Sequence, residues 1–149
     1  VYGYIKIAKK EGATILTGGN KIFFSGRLKG GYFMEPTVIE GLDKNCRTNQ
    51  EEIFGPIVTL IPFSSEHEAI NIANATDYGL AASIWSKDLD RASRIAGEID
   101  FGIVWLNCWM VRDLRTPFGG TKKSGLGREG GDAGLEFFTE PKNICMTEV

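Results

Sequence analysis

Between Pro56 and Leu106 the chain alternates short apolar runs with stretches that begin polar and turn amphipathic. The first run, Ile57-Val58-Thr59-Leu60-Ile61-Pro62-Phe63, has strand length and predicts a strand buried on both faces. Ser64-Ser65-Glu66 is a capping signal for a helix carrying Ile70, Ala73 and Ala75. Leu80 to Trp85 predicts a second buried strand. Asp88 then caps a helix through Ile95-Ala96, with Gly97 as its stop. Phe101 to Leu106 is the third strand, and Trp85, Phe101 and Trp105 are expected in the core. Strand and helix in alternation point to the α/β class, an open mostly parallel sheet with flanking helices.

The flanks are less regular. Val1 to Gly12 predicts a helix, Ala13 to Thr17 a short β-branched strand, and Gly18-Gly19-Asn20 a turn. Gly30 to Phe33 reads as a loop leading into a strand over Pro36 to Ile39. From Asn107 to Asp132 the periodicity gives way to glycine and charge. A helix near Ala133 to Phe138 and a terminal strand over about Lys142 to Thr147 follow.

Composition narrows the function classes. A chain of 149 residues that is 42% hydrophobic has material for a packed core, and a net charge of −2 offers no positive excess for nucleic acid or a membrane surface. No apolar run is long enough to span a bilayer, and no signal-peptide pattern opens the chain. Three scattered cysteines (Cys46, Cys108, Cys145) fit reduced thiols and a cytoplasmic setting better than a disulfide framework. With a single histidine, His67, and no CxxC, no metal site is expected.

Two segments carry candidate chemistry. In an open α/β sheet, ligands sit beyond the carboxyl ends of the strands, where the long segment starting at Asn107 falls. It holds Cys108, Trp109, Arg112, Arg115 and Phe118 within a dozen residues. The other is Glu51-Glu52-Ile53-Phe54-Gly55-Pro56, where one carboxylate offers two acceptor oxygens to a ligand diol. Two further features are discounted. Gly125-Leu126-Gly127-Arg128-Glu129-Gly130 spells GxGxxG, but no strand is predicted before it, so a surface loop is the expectation. Cys108 has aromatic neighbours and no adjacent His or Lys to activate it, so it is expected to be a wall residue.

These motifs, taken in order, resemble the aldehyde dehydrogenase superfamily over essentially the whole chain. Glu51 to Pro56 is similar to its EEIFGP motif and Gly31-Tyr32-Phe33-Met34-Glu35-Pro36-Thr37-Val38 to its GYFxxPTV segment. Tyr78-Gly79-Leu80-Ala81-Ala82, Trp105-Leu106-Asn107, Pro117-Phe118-Gly119-Gly120 and Ser124 to Glu129 follow in the family's order, and Phe138-Thr139-Glu140 opens its closing strand.

The resemblance implies an NAD(P)-dependent oxidation of a small aldehyde to a carboxylate, with NAD or NADP as cofactor. It casts Glu52 as the ligand of the nicotinamide ribose hydroxyls. Phe54 would pack near the nicotinamide ring, both side chains reaching one site if the backbone there is extended. Trp109 and Phe118 would line the aldehyde channel, with Asn107 and Gly119-Gly120 shaping the loop around it.

The family's GQxC nucleophile segment and ELGG-type base segment do not occur in these residues. The chain is therefore expected to be the family's C-terminal third: no catalytic residue of its own, and inactive by itself. Residues 1–134 would be a partial catalytic domain, and residues 135–149 an oligomerisation tail whose strand pairs with another subunit to form a homo-oligomer. A non-catalytic oligomerisation or interaction module is the alternative. Asn107-Cys108-Trp109 with Arg112 to Phe118 is most similar to the muconic semialdehyde branch. Those substrates carry a remote carboxylate, for which Arg112 is the first candidate anchor and Arg115 the second.

Overall fold

The computed structural model describes residues 1–148. They form two compact units, one ending at Thr76 and the other beginning at Asp77.

In the first unit, helix α1 (Tyr2–Lys10) places Ile5 and Ala8 inward and Lys9 and Lys10 in its last turn, where cations complement the carbonyl end. Gly12, at φ 94°, turns the chain out of the helix, and Ala13 N–H bonds back to the Ala8 carbonyl at 2.9 Å. Strand β1 (Thr14–Thr17) follows, then the hairpin of β2 (Lys21–Ile22) with β3 (Phe33–Met34). Strand β4 (Thr37–Glu40) is central, antiparallel to β1 and parallel to β5 (Ile57–Leu60). Its Thr37 and Ile39 are buried, and Ile5, Ala8, Ile39 and Leu42 form the core. The short helix α2 (Arg47–Gln50) lies between β4 and β5, and α3 (Glu66–Asn74) closes the unit.

The second unit pairs β6 (Tyr78–Gly79) with β9 (Thr121–Lys122) and, in parallel, β7 (Ala81–Ile84) with β8 (Ile103–Leu106). Helix α4 (Leu89–Glu98) is the crossover that a parallel pair requires. Ala92, Ile99 and Trp105 are its buried apolar residues. Helix α5 (Gly131–Phe138) comes last.

The capping signals act as expected: Ser65 Oγ accepts from Glu68 N–H, and Asp88 accepts from Arg91 N–H. Several expectations need correction. The sheets are mixed, each unit holding one parallel pair rather than a continuous parallel sheet. Strand β5 is half-buried on one face and open on the other, with Val58 51% and Leu60 46% exposed. Trp85 is not core; it follows the last residue of β7 and is 68% exposed. Gly97 lies inside α4, because glycine stops a helix only where a left-handed turn is needed, and Ile99 continues the chain as extended backbone. The expected terminal strand pairs with another subunit, and within this chain residues 140–148 make no strand among the described residues; Val149, the end of the expected tail, lies outside them. A two-residue strand, β9, does precede the GxGxxG stretch, although its partner β6 is antiparallel.

Candidate functional site

Glu51, Glu52 and Phe54 stand on the segment between α2 and β5, and the start of that segment is tethered. Tyr4 Oη donates to Glu51 Oε2 at 2.6 Å, and Arg47 Nε donates to Glu51 Oε1 at 2.7 Å. These donors hold the Glu51 carboxyl below its ordinary range, Arg47 having the larger effect. Glu11 braces the same region, accepting from Arg47 N–H at 2.9 Å, Thr48 N–H at 3.2 Å and the Thr48 hydroxyl. Both carboxylates are exposed, but with Glu51 spent on Tyr4 and Arg47, Glu52 is the one that has no hydrogen-bond or ion-pair partner among the described residues.

Phe54 is 87% exposed and adopts φ 51°, a left-handed conformation that bulky residues avoid. The extended backbone expected between Glu52 and Phe54 is therefore interrupted at Phe54. Conformations of this kind cost about 1–3 kcal/mol and persist where neighbouring structure imposes them. Here the neighbours are Gly55, where a Cβ would lie 2.5 Å from a Val1 methyl, and the fixed φ of Pro56. Phe54 borders an apolar hollow of about 1020 Å³, whose walls include Ile22, Phe23, Phe24, Tyr32 and Phe33.

The second unit carries the other expected site residues. Asn107 follows the last residue of β8 at φ 53°, which asparagine tolerates, and its side-chain amide closes a ring with Ser86. Asn107 Oδ1 accepts from Ser86 N–H at 2.8 Å and Nδ2 donates to the Ser86 carbonyl at 2.7 Å. Ser83 Oγ donates to the Cys108 carbonyl at 2.8 Å, and Trp105 Nε1 to the Val111 carbonyl at 2.7 Å. Trp109 packs edge-on against buried Trp105 with centroids 5.0 Å apart, yet is itself 61% exposed.

Further along, Phe118 and Glu129 form an antiparallel bridge through reciprocal backbone bonds of 2.7 and 2.8 Å. The Arg112 guanidinium carbon sits 4.2 Å from the Phe118 ring centroid, and Nη2 donates to Glu129 Oε1 at 2.7 Å. Arg112 and Phe118 are thus brought together; Arg115 instead grips Asp113 two residues back, with Nε at 2.9 Å from Oδ1. The sequence reading missed Glu129 as the partner of Arg112. Its only signal is a carboxylate inside the SGLGRE motif.

Among the cysteines, burial raises the Cys46 thiol above its ordinary range, which disfavours a reactive thiolate. Cys108 is half-buried and Cys145 exposed. No group of three or more potential metal ligands occurs among the described residues, and none of their helices is long and apolar enough to cross a membrane.

The comparisons with known proteins agree with this arrangement of motifs. The model of the aldehyde dehydrogenase family matches residues 1–144. A 2-hydroxymuconic semialdehyde dehydrogenase of Pseudomonas putida is 51% identical over 146 residues, covering 98% of this chain and 30% of that protein. The human 2-aminomuconic semialdehyde dehydrogenase is 47% identical over 148 residues, again covering 98% of this chain and 30% of that protein. A betaine aldehyde dehydrogenase of Staphylococcus aureus, solved with NAD+, superposes with a TM-score of 0.86 at 46% identity, covering 92% of this chain and 27% of that one. The chain thus spans about 30% of the length of the curated relatives it matches. On the family match over nearly its whole length, the chain belongs to the aldehyde dehydrogenase family.

Proposed function

We propose that this chain is the C-terminal part of an NAD(P)-dependent dehydrogenase that oxidises a muconic-type semialdehyde to the carboxylate. Within that enzyme it supplies walls and anchors rather than the attacking group. The observation that carries the substrate class is Arg112, a guanidinium stacked on Phe118, with Trp109 on the same loop. Of its five N–H donors, one is engaged, to Glu129, among the described residues. The remaining donors suit a planar carboxylate, which the named substrates of the similar muconic semialdehyde dehydrogenases carry at the end remote from the aldehyde.

The residues of the first unit fit a nicotinamide cofactor. Glu52 presents an unpartnered carboxylate suited to two ribose hydroxyls, and Phe54 an exposed ring two residues on, suited to an aromatic face. When bound, the cofactor supplies the acceptor for the aldehyde hydride. Glu52 and Phe54 then serve to orient it, while Trp109 and Phe118 keep water from the channel. Residues 135–149 act as the oligomerisation tail, a reading supported by Phe138, Ile144 and Met146, which are 82%, 78% and 94% exposed. Among the described residues, 140–148 form no strand or helix and carry apolar side chains, a segment suited to strand addition in a homo-oligomer. The same tail is what favours the second reading, a non-catalytic oligomerisation module.

The test is Arg112→Ala in the complete enzyme, assayed on a semialdehyde with a remote carboxylate and on a neutral aldehyde. The expected result is a KM raised at least tenfold for the first and little changed for the second. Equal losses on both would refute the anchor role. A well-behaved monomer in size-exclusion chromatography would refute the tail's role.

A further inference from the structure

We propose that Glu129 is a specificity-determining residue that acts through Arg112, its carboxylate competing with the substrate's carboxylate for the same guanidinium. The inference rests on the reading of Arg112 as the substrate anchor. Glu129 is held in place by its main chain: the two backbone bonds to Phe118 fix its position opposite the ring on which Arg112 stacks. Three groups therefore meet at one point, an aromatic face, a cation and an anion. The cation's nearest negative charge belongs to the protein itself.

The neighbouring cations are committed elsewhere. Arg128 Nη1 donates to the carbonyls of Gly120 and Gly127 at 2.8 and 2.7 Å, and Arg115 is held by Asp113. Neither relieves Glu129 of Arg112.

In this chain the pair is open to exchange rather than buried. The side chains of Arg112 and Glu129 are 39% and 65% accessible, and ion pairs this open are weak. An incoming carboxylate can take over free N–H groups of Arg112, but it does so beside a like charge. That repulsion falls on carboxylated aldehydes and spares neutral ones. Glu129 thereby lowers the enzyme's preference for its acidic substrate, which also eases release of a product carrying one more carboxylate.

Glu129→Gln in the complete enzyme keeps the acceptor oxygen and side-chain size while removing the charge. The readout is the ratio of kcat/KM for a carboxylated semialdehyde to that for a neutral aldehyde, in which any common effect on turnover cancels. The ratio is expected to rise about three- to fivefold at low salt and to converge on the wild-type value at high salt. In Arg112→Gln/Glu129→Gln the rise is expected to vanish, because the effect runs through Arg112. Glu129→Asp, which withdraws the carboxylate from Nη2, is expected to give a smaller rise and serves if the Gln variant folds poorly. An unchanged or lowered ratio in Glu129→Gln, with Arg112→Gln still selective against the carboxylated aldehyde, overturns the proposal and leaves the anchor standing. Equal losses on both aldehydes in Arg112→Gln overturn the anchor, and the role of Glu129 with it.

Discussion

Replacing Glu11 by Ala should loosen the segment that leads into Glu52 without disturbing the second unit. Glu11 follows the last residue of α1, and its carboxylate reaches across to the first turn of α2, where three donors converge on it. Its loss removes a cap, about 1 kcal/mol, and two backbone N–H groups can then turn to water. The Thr48 hydroxyl has less recourse: Thr48 is 3% exposed, and a buried hydroxyl without a partner costs about 1–3 kcal/mol. Together these give about 3 kcal/mol, or roughly a hundredfold increase in local opening. Hydrogen exchange read by mass spectrometry is the assay. Peptides covering 44–52 should exchange about a hundredfold faster in the variant, and peptides from 78 onward should not change. Acceleration of less than about threefold would refute the capping role. The pH dependence follows from the sign of the shift. The Thr48 hydroxyl chiefly holds the Glu11 carboxyl below its ordinary range, followed by the amides of Thr48 and Arg47. The contribution is therefore complete above the unfolded value, about 4.3, and is lost as pH falls through the lower folded value. Glu11→Gln should lack that acid-sensitive component.

Three other substitutions test separate parts of the site. Gly102→Ala should prevent the second unit from folding, because the added Cβ would lie 1.7 Å from the Gly119 carbonyl oxygen; a cooperative tryptophan-fluorescence melt in this variant would contradict that packing. Asn107→Ala should destabilise the second unit by about 2 kcal/mol, through two lost hydrogen bonds and a left-handed backbone that alanine disfavours. Asn107→Gly should recover about 1 kcal/mol of that loss in thermal unfolding, and equal losses in the two variants would exclude a backbone contribution. Phe54→Gly should relieve the backbone and stabilise the first unit by about 1 kcal/mol while raising the KM for NAD in the complete enzyme, so an unchanged KM would remove Phe54 from the cofactor site.

What could be read from sequence divides by the range of the forces involved. Ser65 and Asp88 announced their helices because a cap is a local bond, three residues long, and β8 and α5 followed from local pattern in the same way. Trp85 and the outer face of β5 were misjudged because apolarity was taken as burial. In this chain those side chains are exposed, and what covers an apolar residue is a tertiary matter. The terminal strand is a different case: a strand is defined by its partner, the expected partner is another subunit, and within this chain 140–148 pair with nothing among the described residues. Phe54 was assigned to the cofactor site by motif, but its positive φ has no signature in a phenylalanine. The Arg112–Glu129 pair spans 17 residues and depends on a bridge closed by Phe118, so neither charge signals the other in the sequence.

The proposed division of labour has this chain hold cofactor and substrate, with the attacking thiol elsewhere in the enzyme. It is tested most directly by incubating a muconic-type semialdehyde and NAD with this chain alone and with the complete enzyme, following NADH absorbance. Steady NADH production is expected from the complete enzyme, lost in Glu52→Ala through a raised KM for NAD, and none from the chain alone. Turnover by the chain alone would contradict it.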